Sequence, residues 1–496
     1  MNQSAKGGQA FDHFLARAAR YSFIGAWLGA ILLFLLHLCY FFPFHLPMLK
    51  MLTGGEEEDL FSIWKFTQGL PVYANPHDIP FAVSTYNWGF YFLYGVVAKF
   101  ILTWLHLDDV WLPTICRLFT LGLSAVCGGL FLLILRGREN AWRFWPPVLL
   151  VIVSFSPLFG PLAGNWPMTT RPDMGAVMFE VAGLTLFIHF LGSRRLLLVF
   201  FAALSFYAAW SFKQANLSAL AGTCAACLVL REWRALFLLV GLWLFLAVGT
   251  LWVGGPVYRD NVITNQLHFP FSFTQETKYF FWAMGRNPFM VMSLLAMVFL
   301  ASSKPFTLMG QPVELTLLIT SVVAFLLTVA SLGKVGSDTN YFIPFATWSL
   351  LWFLLLADRM DARFLSASLI FFSWVLIFKL GFIFSTGIAV PDSVREPYQT
   401  LSWKLENLPA PIFVSDRIGN LPWIQRKPPY FVVNSGYGFE VNAGVSEAHG
   451  GWEGLMRDGY FGTVVTSADC PIPPELLARY TLLSSDGTFQ YYQRKL

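Results

Sequence analysis

Four carboxylates in a row, Glu56-Glu57-Glu58-Asp59, stand just after the first long apolar run of a chain that otherwise avoids charge. Only 12% of the residues are charged while 56% are hydrophobic, so a crowd of acids at that place invites a chemical reading. A carboxylate held beside a hydroxyl can serve as a general base. The segment runs on through Lys65, Gly69 and Tyr73, and a solvated acidic turn would account for it as well. Further along, Arg171-Pro172-Asp173 stands at the mouth of an apolar run, where Asp173 could equally cap a helix and pair with Arg171. Lys213-Gln214 follows, and then Gly333-Lys334-Val335-Gly336-Ser337-Asp338-Thr339-Asn340-Tyr341. Gly333 and Gly336 leave backbone amides accessible around Lys334, a composition suited to an anion, though an ordinary Gly turn reads the same way. Arg259 and Arg286, in a stretch from Gly254 to Pro288 read as a long loop, add two further cations.

The elements that must position these groups are membrane spans. With 50 Phe, 19 Trp and a mean hydropathy of +0.57, the chain carries repeated apolar runs. Each is about 20 residues long, the length that crosses ~30 Å of hydrocarbon. The first, from Ser22 to about Phe42, is too long for a signal-peptide core and reads as an uncleaved anchor. Lys6, Arg17 and Arg20 before it put the N-terminus in the cytoplasm and the acidic run outside. Arg194/Arg195, Arg231/Arg234, Lys304 and Arg359/Arg363 then mark cytoplasmic turns between spans. Those spans are expected near Met174–Leu191, Leu196–Phe212, Leu217–Leu230, Ala235–Val253, Phe289–Ala301, Leu315–Leu332, Tyr341–Ala357 and Phe364–Phe384. One of Trp88–Leu105, Leu112–Leu135 and Phe144–Phe159 must not cross if the later charges are to face inward. Lys99 interrupts Trp88–Leu105, so that run is expected to lie on the outer surface as an amphipathic helix. About 11 crossings remain.

After Pro391 the composition changes to short β-prone runs such as Ile412–Asp416, Tyr430–Val433 and Phe461–Val465, with helical stretches at Ser402–Leu408 and Pro474–Ala478. The expected division is therefore a helical membrane domain over 1–390, its first outer loop at about 43–111, and a small α/β extracytoplasmic domain over 391–496. The six Cys form no extracellular framework, and Cys224-Ala-Ala-Cys227 has apolar flanks that point to packing. A net charge of +4 without a basic tract argues against nucleic acid as a partner. Glu180 shares a face with Asp173 about two turns deeper, where an ionisable group usually marks function or a buried structural pair. Lys379 is the other mid-span charge.

The order Glu57, Gly69, Tyr73, then Arg171-Pro172-Asp173, Lys213-Gln214 and Gly336-Ser337-Asp338-Thr339-Asn340-Tyr341 resembles the GT-C superfamily of polyprenyl-phosphate-dependent glycosyltransferases. The resemblance runs from about Ser22 to Leu356 and is closest to the bacterial relatives of protein O-mannosyltransferase and aminoarabinose transferase. It implies a polytopic GT-C-like fold with juxtamembrane helices in a bacterial inner membrane. It implies, too, an inverting transfer from a polyprenyl-phosphate-linked sugar to a glycan, lipid or protein acceptor at the periplasmic face. Glu57 matches the family's catalytic acid by position, with Glu56, Glu58 and Asp59 competing and Asp173 as a further candidate. The phosphate would need cations, for which Lys334, Arg171, Lys213 and Arg259 are the candidates, with Arg286 behind them. A divalent cation is allowed by this reading, but four consecutive carboxylates cannot all converge, so no metal site is expected. The competing reading is a transporter or flippase of a lipid-linked glycan, which would show repeated halves with broken helices. No such repeat is present in the sequence.

Overall fold

Apolar runs in lipid become helices because every backbone N–H and C=O must bond within its own segment. In the computed structural model the described residues are most of 55–136, 147–155, 166–286, 311–356, 401–432 and 448–495, with part of 14–32. The short helix α1 (Glu56–Thr67) is followed by α2 (Trp88–Leu105), α3 (Leu112–Arg136) and α4 (Pro147–Ser154). Then come α5 (Asp173–Ser193), α6 (Leu196–Phe212), α7 (Ser218–Leu230), α8 (Trp233–Arg259), α9 (Phe273–Arg286), α10 (Pro312–Leu332) and α11 (Ile343–Leu356). Among the described residues, 5 helices are long and apolar enough to cross a membrane, and α6 and α7 are shorter apolar helices. The protein is a membrane protein. Large side chains of α8 such as Phe237, Phe245, Trp252 and Val253 are exposed, as a lipid-facing surface requires.

The expected run Ser22–Phe42 lies mostly outside the described residues, as do the ends of Phe144–Phe159. The expected spans from Met174 to Phe212 and at Leu217–Leu230, Leu315–Leu332 and Tyr341–Ala357 fall within a few residues of these helices. Helix α2 has the expected bounds, and length and composition alone would let it cross; its surface placement rests on the charge alternation. The expected runs at Phe289–Ala301 and Phe364–Phe384 lie mostly outside the described residues, as do Lys379 and the boundary near 391. The stretch from Gly254 to Pro288 is not a loop. Helix α8 runs through Gly255, at φ +72, and Pro256 to Arg259, then widens into a π-turn at Asp260–Thr264 before α9. Gly and Pro are ordinarily stop signals, but Pro is well tolerated where a new helical segment begins, so the helix kinks and restarts.

The helices pack through close approaches. A Cβ at Gly222 of α7 would stand 2.5 Å from the Thr320 Cα of α10, so only glycine allows that crossing. The C-terminal sheet has order β1-β2-β4-β3, from β1 (Ile412–Val414), β2 (Thr463–Ser467), β3 (Tyr480–Ser485) and β4 (Phe489–Arg494). β1 and β2 are parallel, and the other pairs are antiparallel. Residues 430–432 are outside any strand, whereas the β3–β4 hairpin at Asp486-Gly487 was not anticipated. This domain covers α1: Tyr430 lies edge-on against Trp64 at 5.2 Å, and Phe81 of the α1–α2 loop joins the buried cluster of Phe413, Phe431 and Phe461.

Candidate active site

The acidic run is no solvated turn. It forms the first turn of α1, and Glu56, Glu57, Glu58 and Asp59 are all buried. Glu56 receives Arg117 Nε at 2.9 Å and Nη2 at 2.8 Å, together with the Thr170 amide at 2.7 Å. That bidentate pair pins α1 to α3 and to the segment before α5. Arg117 was not anticipated, although a lone arginine inside an apolar run is itself a signal.

Asp59 faces another way. Arg171 Nη1 donates to its Oδ2 at 3.1 Å and the Tyr91 hydroxyl to its Oδ1 at 3.4 Å. The Arg171 guanidinium lies 5.2 Å from the Tyr86 ring centroid and 6.0 Å from that of Trp166. Asp173 does not pair with Arg171. Its Oδ1 instead accepts from Lys213 Nζ at 2.5 Å and from Asn340 Nδ2 at 2.8 Å, while the Lys213 ammonium sits 4.4 Å from the Tyr341 ring. Sequence neighbours at a helix mouth point apart, so each acid takes a partner from a distant segment. Burial pushes the Asp59 carboxyl well above the usual range; Arg171 opposes this, and the charges of Glu58, Asp173 and Glu57 add to it. Burial works against the charge on Arg171, yet Tyr86, Asp59 and Asp173 outweigh it and hold the guanidinium protonated.

The first turns of α1 and α5, the start of the α6–α7 turn and the residues before α11 thus bring two carboxylates and two cations to one buried point. Three polar atoms there, Asp173 Oδ2, Asn340 Oδ1 and Arg171 Nε, meet no hydrogen-bonding group among the described residues. Among those residues no three His, Cys, Asp or Glu side chains are grouped as metal ligands would be.

Lys334 and Arg259 lie elsewhere. Lys334 is half-buried, donates to Gln266 Oε1 at 3.3 Å, and has its pKa lowered by burial. Its loop is tied down by Ser272 N to Gly333 O at 2.6 Å and by Gln275 Nε2 to Lys334 O at 2.8 Å. Arg259 is exposed at the end of α8, and neither cation pairs with a carboxylate among the described residues. The side chain of Arg286, and residues Gly336 and Asp338, lie outside the described residues.

A lysine that the sequence reading passed over holds the loop between α1 and α2. Lys65 is buried and donates to Val72 O and to Ser84 Oγ, and Ser84 in turn bonds Ser62 and Asn261 of the π-turn. Burial brings its pKa down to about 7. Tyr73 on this loop donates to Tyr86 O at 2.8 Å and borders an apolar cleft of about 600 Å³, lined also by Trp88, Tyr207, Phe245, Thr250 and Tyr258. Glu180 is spent on structure: the Ser218 hydroxyl and the Ala219 amide, 3.1 and 3.0 Å away, make it the cap of α7.

No known family profile and no curated protein matches this sequence. Among solved structures, the chain superposes on the crystal structure of ArnT from Cupriavidus metallidurans bound to undecaprenyl phosphate. The TM-score is 0.57 at 14% identity, over 95% of this chain and 97% of that one. The fold is ArnT-like. The apo state of the same protein gives 0.57 at 14% identity, over 89% and 93% of the two chains. The oligosaccharyltransferase AglB from Archaeoglobus fulgidus, in complex with an inhibitory peptide and a dolichol-phosphate, scores 0.49 at 12% identity, over 96% and 74%. The resemblance drawn from the acidic run and the later motifs is thus met at the level of fold.

Proposed function

We propose that this protein is an inverting glycosyltransferase that moves a sugar from a polyprenyl-phosphate donor to a cell-envelope acceptor at the periplasmic face of a bacterial inner membrane. The observation that carries the reading is the buried meeting of Asp59 and Asp173 with Arg171 and Lys213 in an ArnT-like fold. The acceptor oxygen attacks the anomeric carbon as the bond from that carbon to the phosphate oxygen breaks. The configuration inverts, and polyprenyl phosphate leaves carrying the bonding electrons. Such a leaving group needs cations rather than a general acid, and the attacking hydroxyl needs a base.

Asp59 is the best base among the four clustered acids. Glu56 is bound to Arg117, whereas Asp59 joins the cationic centre and has a raised proton affinity. Lys334 and Arg259 suit the donor phosphate because, among the described residues, neither gives up a carboxylate partner to bind it. Arg171 and Lys213 then stabilise the negative charge that develops on the phosphate oxygen as it leaves the anomeric carbon. The apolar cleft next to Tyr73 suits the prenyl chain.

The test is consumption of an undecaprenyl-phosphoryl sugar by membranes carrying the protein and an envelope extract as acceptor. Asp59→Asn is expected to lower the rate by ~10²–10⁴, with Glu57→Gln much milder. A dead Glu57→Gln beside an active Asp59→Asn would return the base to Glu57, the residue the motif names. Full activity in both would end the reading.

A further inference from the structure

Asp173 and Asn340 are only 3% and 4% exposed, yet each turns a polar atom toward the site that no described residue fills. The direction of the Asn340 amide is fixed by chemistry. Asp173 Oδ1 can only accept, so the NH₂ end of Asn340 must face it, 2.8 Å away, and the carbonyl end is the buried one that no described residue meets. Asp173 Oδ1 is taken by Lys213 and Asn340, which leaves Oδ2 as a second buried acceptor without a described partner. Two neighbouring buried acceptors call for two donors, since an unfilled buried acceptor carries a desolvation cost that a ligand can relieve.

Three kinds of group could supply them. A divalent cation or an ammonium would enter a point already occupied by the Lys213 ammonium, 2.5 Å from the same carboxylate, with the Arg171 guanidinium in the field of Asp173 as well. Like charge disfavours both. Hydroxyl groups bring donors without charge. We infer that Asp173 and Asn340 read two neighbouring free hydroxyls of the transferred sugar, so that the donor carries a neutral polyhydroxylated sugar. This rests on the glycosyltransferase reading above and adds the chemical class of the sugar and the residues that select it. Lys334 donates to Gln266 while Asn340 donates to Asp173, so sugar reading and phosphate holding fall on different hydrogen bonds.

The experiment uses the full chain in lipid nanodiscs with EDTA. Its probes are undecaprenyl phosphate, undecaprenyl-phosphoryl glucose, galactose and mannose, and the singly deoxygenated forms of each. At least one parent sugar is expected to bind the wild type about tenfold more tightly than undecaprenyl phosphate, and to lose about tenfold when one particular hydroxyl is replaced by hydrogen. In Asn340→Ala the parent and that deoxy form are expected to bind equally. If Asn340→Ala does not fold, the deoxy series on the wild type decides alone. Should undecaprenyl phosphate bind saturably while no sugar adds affinity, this inference fails and the donor reading stands. If undecaprenyl phosphate itself does not bind, the donor reading fails and this inference with it. A sugar preference that appears only after Mg²⁺ replaces EDTA would make the pair a cation site and overturn the proposal.

Discussion

Asp173 and Glu180 sit on the same face of α5, both buried, and have opposite fates. Glu180 is met by the Ser218 hydroxyl and the Ala219 amide, and locks α5 to the start of α7. Asp173 is met by Lys213 and Asn340 on one oxygen, and no described residue meets the other. Glu56 and Asp59 repeat the contrast on α1, the first clamped by Arg117 and Thr170 and the second at the cationic centre. Burial alone therefore does not mark a functional acid. What marks it here is a buried carboxylate that belongs to the centre formed with Arg171 and Lys213.

The sharpest way to break this contrast is to neutralise both acids of α5. Asp173→Asn is expected to cut sugar transfer at least ~100-fold, whereas Glu180→Gln, which keeps the acceptors that cap α7, should leave the rate within a few-fold. Equal losses, read from the same donor-consumption assay, would erase the distinction. On the structural side, Arg117→Met removes the bidentate cation from the buried Glu56. It should cost about 3–5 kcal/mol of stability, seen as a large drop in Tm in detergent. Glu180→Leu strands the Ser218 and Ala219 donors and should cost about 1–3 kcal/mol, with Tm again the measure.

The smallest expected effect is a pH dependence from Lys65. Its folded pKa of about 7 lies below that of an unfolded lysine, so between those values the unfolded chain binds the extra proton and stability rises with pH. Below about 7 both states are protonated, and the penalty of the buried charge is fully present. Wild-type Tm should therefore climb from neutral to mildly alkaline pH more than that of Lys65→Met. Parallel curves would show that Lys65 is not buried as a strained cation.

Much of this was legible in the sequence. Apolar runs gave helices close to their expected bounds, because lipid leaves the backbone no other way to satisfy itself. The Arg171-Pro172-Asp173, Lys213-Gln214 and Asn340-Tyr341 segments do meet at one place. The pairing was not legible: Arg171 reaches Asp59 on another helix rather than its neighbour Asp173, a choice made by tertiary packing. The kinked continuation of α8 was hidden because Gly255 and Pro256 look like a helix end in isolation. The β3–β4 hairpin did carry a signal, the Asp486-Gly487 turn between Tyr480–Ser485 and Phe489–Arg494. Tyr86 and Tyr91 gave none, since aromatic residues are everywhere in this chain.

The most direct test of the central claim is saturable binding of undecaprenyl phosphate to the full chain in nanodiscs, followed by native mass spectrometry, in the wild type and in Lys334→Met. A charge-assisted contact is worth about 1.5–3 kcal/mol, or ~10–100-fold in affinity, so Lys334→Met should bind that much more weakly at an unchanged Tm. The wild-type affinity should also fall on raising pH sooner than an ordinary lysine would dictate, because burial lowers the Lys334 pKa and only the ammonium holds the phosphate. No saturable binding, or the same affinity in both proteins across pH, would contradict the account.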